Sequence, residues 1–139
     1  MTDQAAIFGP FFAVMGLTVV VWIYLYAKRI PFIQSLGDVD LSVPGELARR
    51  SPPSVSNPSD NFSNLFEMPV LFYALVLYLY ATQQVDGGYV AAGWVFAGFR
   101  ALHSAVHCTF NHVLTRFWLY CVSCLALFFM LGRAALAHF

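Results

Sequence analysis

Apolar and polar positions divide this chain into long apolar runs separated by polar connections. Ile7–Ala27 is 21 residues without a charge, and Phe117–Leu136 is 20 residues with one charge, Arg133. A hydrocarbon core of about 30 Å needs about 20 apolar residues in an α-helix, so both runs are long enough to cross it. Phe62–Ala81 and Tyr89–Phe110 have the same length class, 20 and 22 residues, but polar side chains interrupt them. Beside two clear spans they read as membrane helices with functional polar residues. Continuous apolar runs exclude the alternation of a β-barrel. The pattern predicts an all-α integral membrane protein, a four-transmembrane-helix bundle. With their interfacial turns the helices cover about 7–27, 58–82, 88–110 and 116–137, as one domain over 1–139.

Composition agrees with that pattern. Apolar residues make up 60% of the 139 and charged residues 10%, where a soluble domain carries about a quarter charged. Seven basic and seven acidic residues cancel, so there is no basic field to hold a nucleic acid. The lipid bilayer is the first partner. The charges also orient the chain. Lys28, Arg29, Arg49, Arg50 and Arg116 fall on one side and Arg133 on the other. The positive-inside rule puts the long connection, a proline-rich loop over 28–57, in the cytoplasm. Both termini then face the periplasm or an organelle lumen, and a bacterial inner membrane is the expected setting. Arg133 opposes this assignment and is expected to snorkel to the outer interface. The first run is too long for a cleaved signal peptide, and its positive charges follow the apolar stretch instead of preceding it.

The polar residues inside the spans carry the chemistry. Asn57 is expected to cap the second helix and Pro58 to open it. From there Asn61, Asn64 and Glu67 run inward at helical spacing, and Pro69 is expected to bend the helix. In the third helix Arg100, His103, His107 and Asn111 follow intervals of 3, 4 and 4, which put them on one face with Ser104. A buried arginine costs roughly 2.5–3.5 kcal/mol even on the lenient insertion scale, so it needs a partner. Glu67 is the only acid in any span. A Glu67–Arg100 pair is therefore expected, either directly or across a subunit boundary. Gly93, Ala97, Ala101 and Ala105 repeat every fourth residue and read as a close helix–helix seam.

These motifs resemble a known family. Asn64-Leu65-Phe66-Glu67, followed by Pro69, resembles the second-helix signature of the membrane-associated proteins in eicosanoid and glutathione metabolism, the MAPEG family. Arg100, His103, His107 and Arg116 resemble the third-helix pattern of its microsomal glutathione transferases and the arginine that opens their fourth helix. The resemblance implies four membrane helices, termini on the non-cytoplasmic side and a homotrimer. It also implies glutathione as co-substrate, bound between subunits near the cytoplasmic face, with conjugation, peroxide reduction or isomerisation of a lipophilic small molecule. Carried over, Asn64, Glu67, Arg100, His103 and His107 contact or shape the glutathione site, and Arg116 stabilises the thiolate. Two positions depart from the pattern. Asp60 stands where the family has an arginine four residues before Asn64, and His107 where it has a tyrosine.

Other chemistries use the same residues. His103 and His107 on a helix suit a transition metal or haem, with Cys108 and His112 nearby, but spacing fixes no third ligand and no metal is assigned. Cys121-Val-Ser-Cys124 has redox spacing, yet it lies toward the reducing side with no second pair, so two core cysteines are the simpler account. A non-enzymatic accessory or structural subunit with the same fold, alone or in a larger membrane complex, is the main alternative.

Overall fold

The computed structural model describes residues 3–138, and every element among them is helical. A single 3-10 turn, Gln4–Ile7, is capped by Asp3, whose Oδ1 accepts from Ala5 N at 2.9 Å. It runs into α1, Phe8–Ser35. The connection contains a short helix, α2 (Glu46–Arg50), entered through Gly45 at φ +79°, a left-handed conformation that glycine adopts without strain. Then follow α3 (Pro53–Asn64), α4 (Met68–Ala81), α5 (Gly87–Cys108) and α6 (Val113–His138).

The long loop expected over 28–57 is much shorter in the structure. Helix α1 continues past Ala27, through Lys28, Arg29 and Pro31, to Ser35. At the other side α3 begins with Pro53 in its first turn, so Pro53 plays the part expected of Pro58. Asn57 does not cap. It lies inside α3, and so does Pro58, which is buried there. The bend expected at Pro69 is a full interruption. Pro69 has no N–H for the carbonyl of Leu65, and the chain makes 3-10-type bonds from Leu65 to Glu67 before α4 restarts with Pro69 in its first turn. Gly87 and Gly88 belong to the first turn of α5, and Gln83, in the connection before it, has a positive φ of +57°.

Among the described residues three stretches are long and apolar enough to cross a membrane, namely Gln4–Ser35, Pro53–Ala81 and Val113–His138. Helix α5 has 22 residues, ~33 Å at 1.5 Å per residue, and its polar face lowers its hydropathy. It packs along α6 and also touches α1 and α3. The apolar core includes Ile7, Val14, Phe72, Val76, Leu79, Phe96, Leu127 and Met130, with Phe72 stacked on Phe96 at 4.5 Å. Large apolar side chains such as Trp22, Ile23, Phe117, Trp118 and Phe128 point outward, as in a protein whose solvent is lipid. Of the expected small-residue seam only half is closed. Gly93 and Ala97 are buried, and a Cβ on Gly93 would stand 2.9 Å from Pro10 Cγ, whereas Ala101 and Ala105 are exposed.

The end that carries Gln4 and Arg133 is clasped. Gln4 brackets Val85, with Nε2 donating to its carbonyl and Oε1 accepting from its N–H, both at 3.0 Å. Arg133 does not simply reach for the interface. It makes a two-pronged ion pair with Asp86 and lies over the Tyr89 ring, 4.4 Å from Cζ to the centroid. Asp86 also caps α5, accepting from Gly88 N and Tyr89 N. A Cβ on Gly88 would come within 2.9 Å of Arg133 Nη1, so the missing side chain leaves room for the guanidinium.

Candidate functional site

A seam of polar side chains runs between α3 and α5 toward the end that carries the connection. The helices are antiparallel, so positions ascending in α3 meet positions descending in α5. Asn111 Nδ2 donates to Asn57 Oδ1 at 3.0 Å. One turn on, Ser104 Oγ donates to Asn61 Oδ1 at 3.2 Å, and Asn61 Nδ2 donates to Cys108 Sγ at 3.5 Å. A further turn on, Arg100 Nη2 donates to the Asn64 carbonyl at 2.7 Å. Asn57, Asn61 and Asn64 recur at intervals of 4 and 3, and that spacing is the signal that marks this face in the sequence.

The arginine at the deep end of this seam is fully buried, at 0% exposure. Its Cζ lies 5.3 Å from the centroid of the Tyr120 ring. Its Nε and Nη1 have no hydrogen-bond partner among the described residues. The expected pair with Glu67 does not form within the chain. No ion pair or hydrogen bond joins them among the described residues, and Glu67 is exposed at the α3–α4 break. The backbone turn that Pro69 forces turns Glu67 out of the α3–α5 seam. Asn64 therefore serves Arg100 through its backbone, a contact that residue types alone do not disclose.

His103 and His107 are both buried on the same face, with rings edge to face at 5.6 Å. His103 Nδ1 lies 2.8 Å from the Arg116 carbonyl, which requires that this nitrogen carry the proton. His103 Nε2 and His107 Nδ1 have no hydrogen-bond partner among the described residues. Arg116 is half-buried, and its Nη1 donates to Asn111 Oδ1 at 2.7 Å. Asn111, at φ +47°, thus turns the chain between α5 and α6 and ties Asn57 to Arg116. The structure brings Asn64, Arg100, His103, His107 and Arg116 into one connected region and leaves Glu67 on the open side of it. Ser63 and Asp60, one and two turns before Glu67, are also exposed.

Among the described residues no three His, Cys, Asp or Glu side chains are grouped to hold a metal ion, so none of them gives the histidine pair a third ligand. Cys108, Cys121 and Cys124 are all free thiols.

Apolar membrane-length helices around a buried, partly unbonded arginine–histidine cluster define an integral membrane protein with a polar site inside its helical body. The family model of the MAPEG family matches residues 7–136, nearly the whole chain. The chain belongs to the MAPEG family. No curated protein and no solved structure matches it.

Proposed function

We propose that α5 is a fourth span, that the protein assembles as a homotrimer, and that it binds glutathione at the cytoplasmic end between subunits. It then conjugates the tripeptide to a lipophilic electrophile, or uses it to reduce one. The observation that carries this reading is the buried Arg100 guanidinium with two unbonded nitrogens. Buried charge without compensation is costly, and an anionic ligand group offsets it. The exposed stripe of Asp60, Ser63 and Glu67 supports the same reading, because lipid tails cannot hydrogen-bond such a face and a neighbouring subunit with bound peptide can.

In this reading Glu67 and Asn64 hold the polar groups of the peptide, and Arg100 with His103 and His107 shape the cleft. Arg116 faces the thiol. A thiol has a pKa of about 8.5, and a guanidinium within hydrogen-bond reach favours its anion, the nucleophile. The thiolate sulfur forms a bond to the electrophilic carbon, and the leaving group departs with the bonding electron pair. Asn111 orients the Arg116 fork through the hydrogen bond to Nη1.

The test is thermal unfolding of the detergent-solubilised protein with millimolar glutathione. A rise in Tm is expected, smaller in Arg116→Ala and Glu67→Gln. Melting curves that do not move with glutathione overturn the proposal and favour an accessory membrane subunit, a reading to which Asp60 and His107 lend weight.

A further inference from the structure

On the face of α3 turned away from the asparagine seam lies a second polar region, a cavity of about 450 Å³ bounded by the end of α1, by α2 and by α3. Arg29, Ser51, Ser56, Ser59 and Asp60 line it, with Val55 among its apolar members. Arg29 Nη2 donates to Ser59 Oγ at 2.8 Å, which leaves the Ser59 proton free to donate in turn. Arg29 Nε is buried and has no hydrogen-bond partner among the described residues. Asp60 lines the same cavity and belongs to no ion pair among the described residues. The cavity thus offers an unused guanidinium N–H and hydroxyls to an oxyanion, and a separate carboxylate to a cation that carries N–H groups.

Its depth narrows the ligand. Arg29 follows the uncharged run by two residues, in a zone where Lys28 lies over Tyr24 at 5.5 Å and Arg29 beside Tyr26 at 6.0 Å. Tyrosine and snorkelling cations mark the level of lipid headgroups. We propose that this cavity binds a phosphoethanolamine group, with phosphate oxygens on Arg29 Nε and the Ser59 hydroxyl and the primary ammonium donating to Asp60. Asp60 also belongs to the exposed stripe of the proposed subunit joint, whereas Arg29 and Ser59 lie outside that stripe, so the loss of lipid binding in an Arg29 variant is separable from a failure of the glutathione reading. A phosphocholine group has the same phosphate but no N–H, so Asp60 discriminates between the two.

The experiment uses the full chain, stripped of phospholipid in detergent, and titrates it with phosphatidylethanolamine and phosphatidylcholine of matched acyl chains. Retention is read by native mass spectrometry. The ethanolamine lipid is expected to bind about tenfold tighter, a ratio that corresponds to roughly 1.4 kcal/mol. Asp60→Asn should abolish the preference and keep phosphatidylcholine binding. Arg29→Gln should weaken both lipids, and Arg29→Lys, which keeps the charge, should restore part of the loss and so separate binding from misfolding. Displacement of bound lipid by soluble O-phosphoethanolamine identifies a free phosphate ester as a ligand of the same site, whereas its failure to compete identifies the lipid headgroup. Equal binding of the two lipids, unchanged by Asp60→Asn, overturns the proposal, as does the absence of binding to either.

Discussion

Arg100 presents five N–H donors in a rigid fork, and only Nη2 has an acceptor among the described residues. Replacing a buried charge with an apolar group of similar length is often neutral or stabilising, because the desolvation penalty disappears. Arg100→Met is therefore expected to leave the unliganded protein as stable as the wild type, or more so, while removing the glutathione-dependent rise in Tm. A large loss of unliganded stability would show that the arginine is structural. Asn61 has the opposite character. It is fully buried at 0% exposure and bonded on both sides, to Ser104 and Cys108. Asn61→Leu leaves the Ser104 hydroxyl without its acceptor and is expected to cost about 1–3 kcal/mol, read from thermal or denaturant unfolding in detergent.

Between elements, the break between α3 and α4 does more for the site than either helix does. Pro69 withholds one N–H, the helix opens over Leu65–Glu67, and the Glu67 side chain is presented outward while Asn64 keeps its carbonyl on Arg100. Pro69→Ala returns the missing donor. It is expected to preserve or slightly raise helix content by circular dichroism and to reduce the glutathione response, because a continuous helix rotates Glu67 away from its present position. At the other end, the Asp86–Arg133 pair closes α5 onto α6. Its hydrogen bonds from Arg133 hold the Asp86 carboxyl below the usual carboxylate range, with burial opposing the shift. A lowered folded value means that the contribution is present above the unfolded pKa of about 3.9 and disappears as pH falls through the folded value. The side chains are 41% and 43% exposed, so solvent screening keeps the contribution small. The Tm difference between wild type and Arg133→Gln should be present at pH 7 and shrink as pH falls below the unfolded value of about 3.9. A difference that persists undiminished at pH 3 contradicts this account.

At the scale of the molecule, one face of a single chain is unsuited to lipid. Asp60, Ser63 and Glu67 lie open on a stretch that is otherwise long and apolar enough to cross a membrane. A trimer that covers this face is expected to persist in mild detergent by native mass spectrometry. Glu67→Lys, which reverses the charge at each joint, should shift it toward monomers. Retention of the trimer by that variant places the joint elsewhere.

How much of this was legible in the sequence depends on the range of the interaction concerned. Membrane residence, helix content and the polar face of α5 follow from local periodicity and from the cost of burying charge, and these are properties of the chain itself. The MAPEG signature likewise rests on short spacings around Asn64–Pro69 and Arg100–Arg116. Element ends were less legible. Lys28 to Ser35 and Pro53 to Ser56 read as loop because they are polar or contain proline, yet a helix leaving the membrane needs no apolar face, and Pro53 suits a first turn. The partners of the charges lay beyond the sequence. Composition left Glu67 as the one acid for Arg100, but the three-dimensional fold gave Arg100 a backbone carbonyl, gave Arg133 the carboxylate of Asp86 and turned Glu67 outward. Sequence determines which groups must be satisfied, because desolvation depends on chemistry alone. Only the tertiary structure decides what satisfies them, because backbone acceptors are identical at every residue and packing alone selects among them.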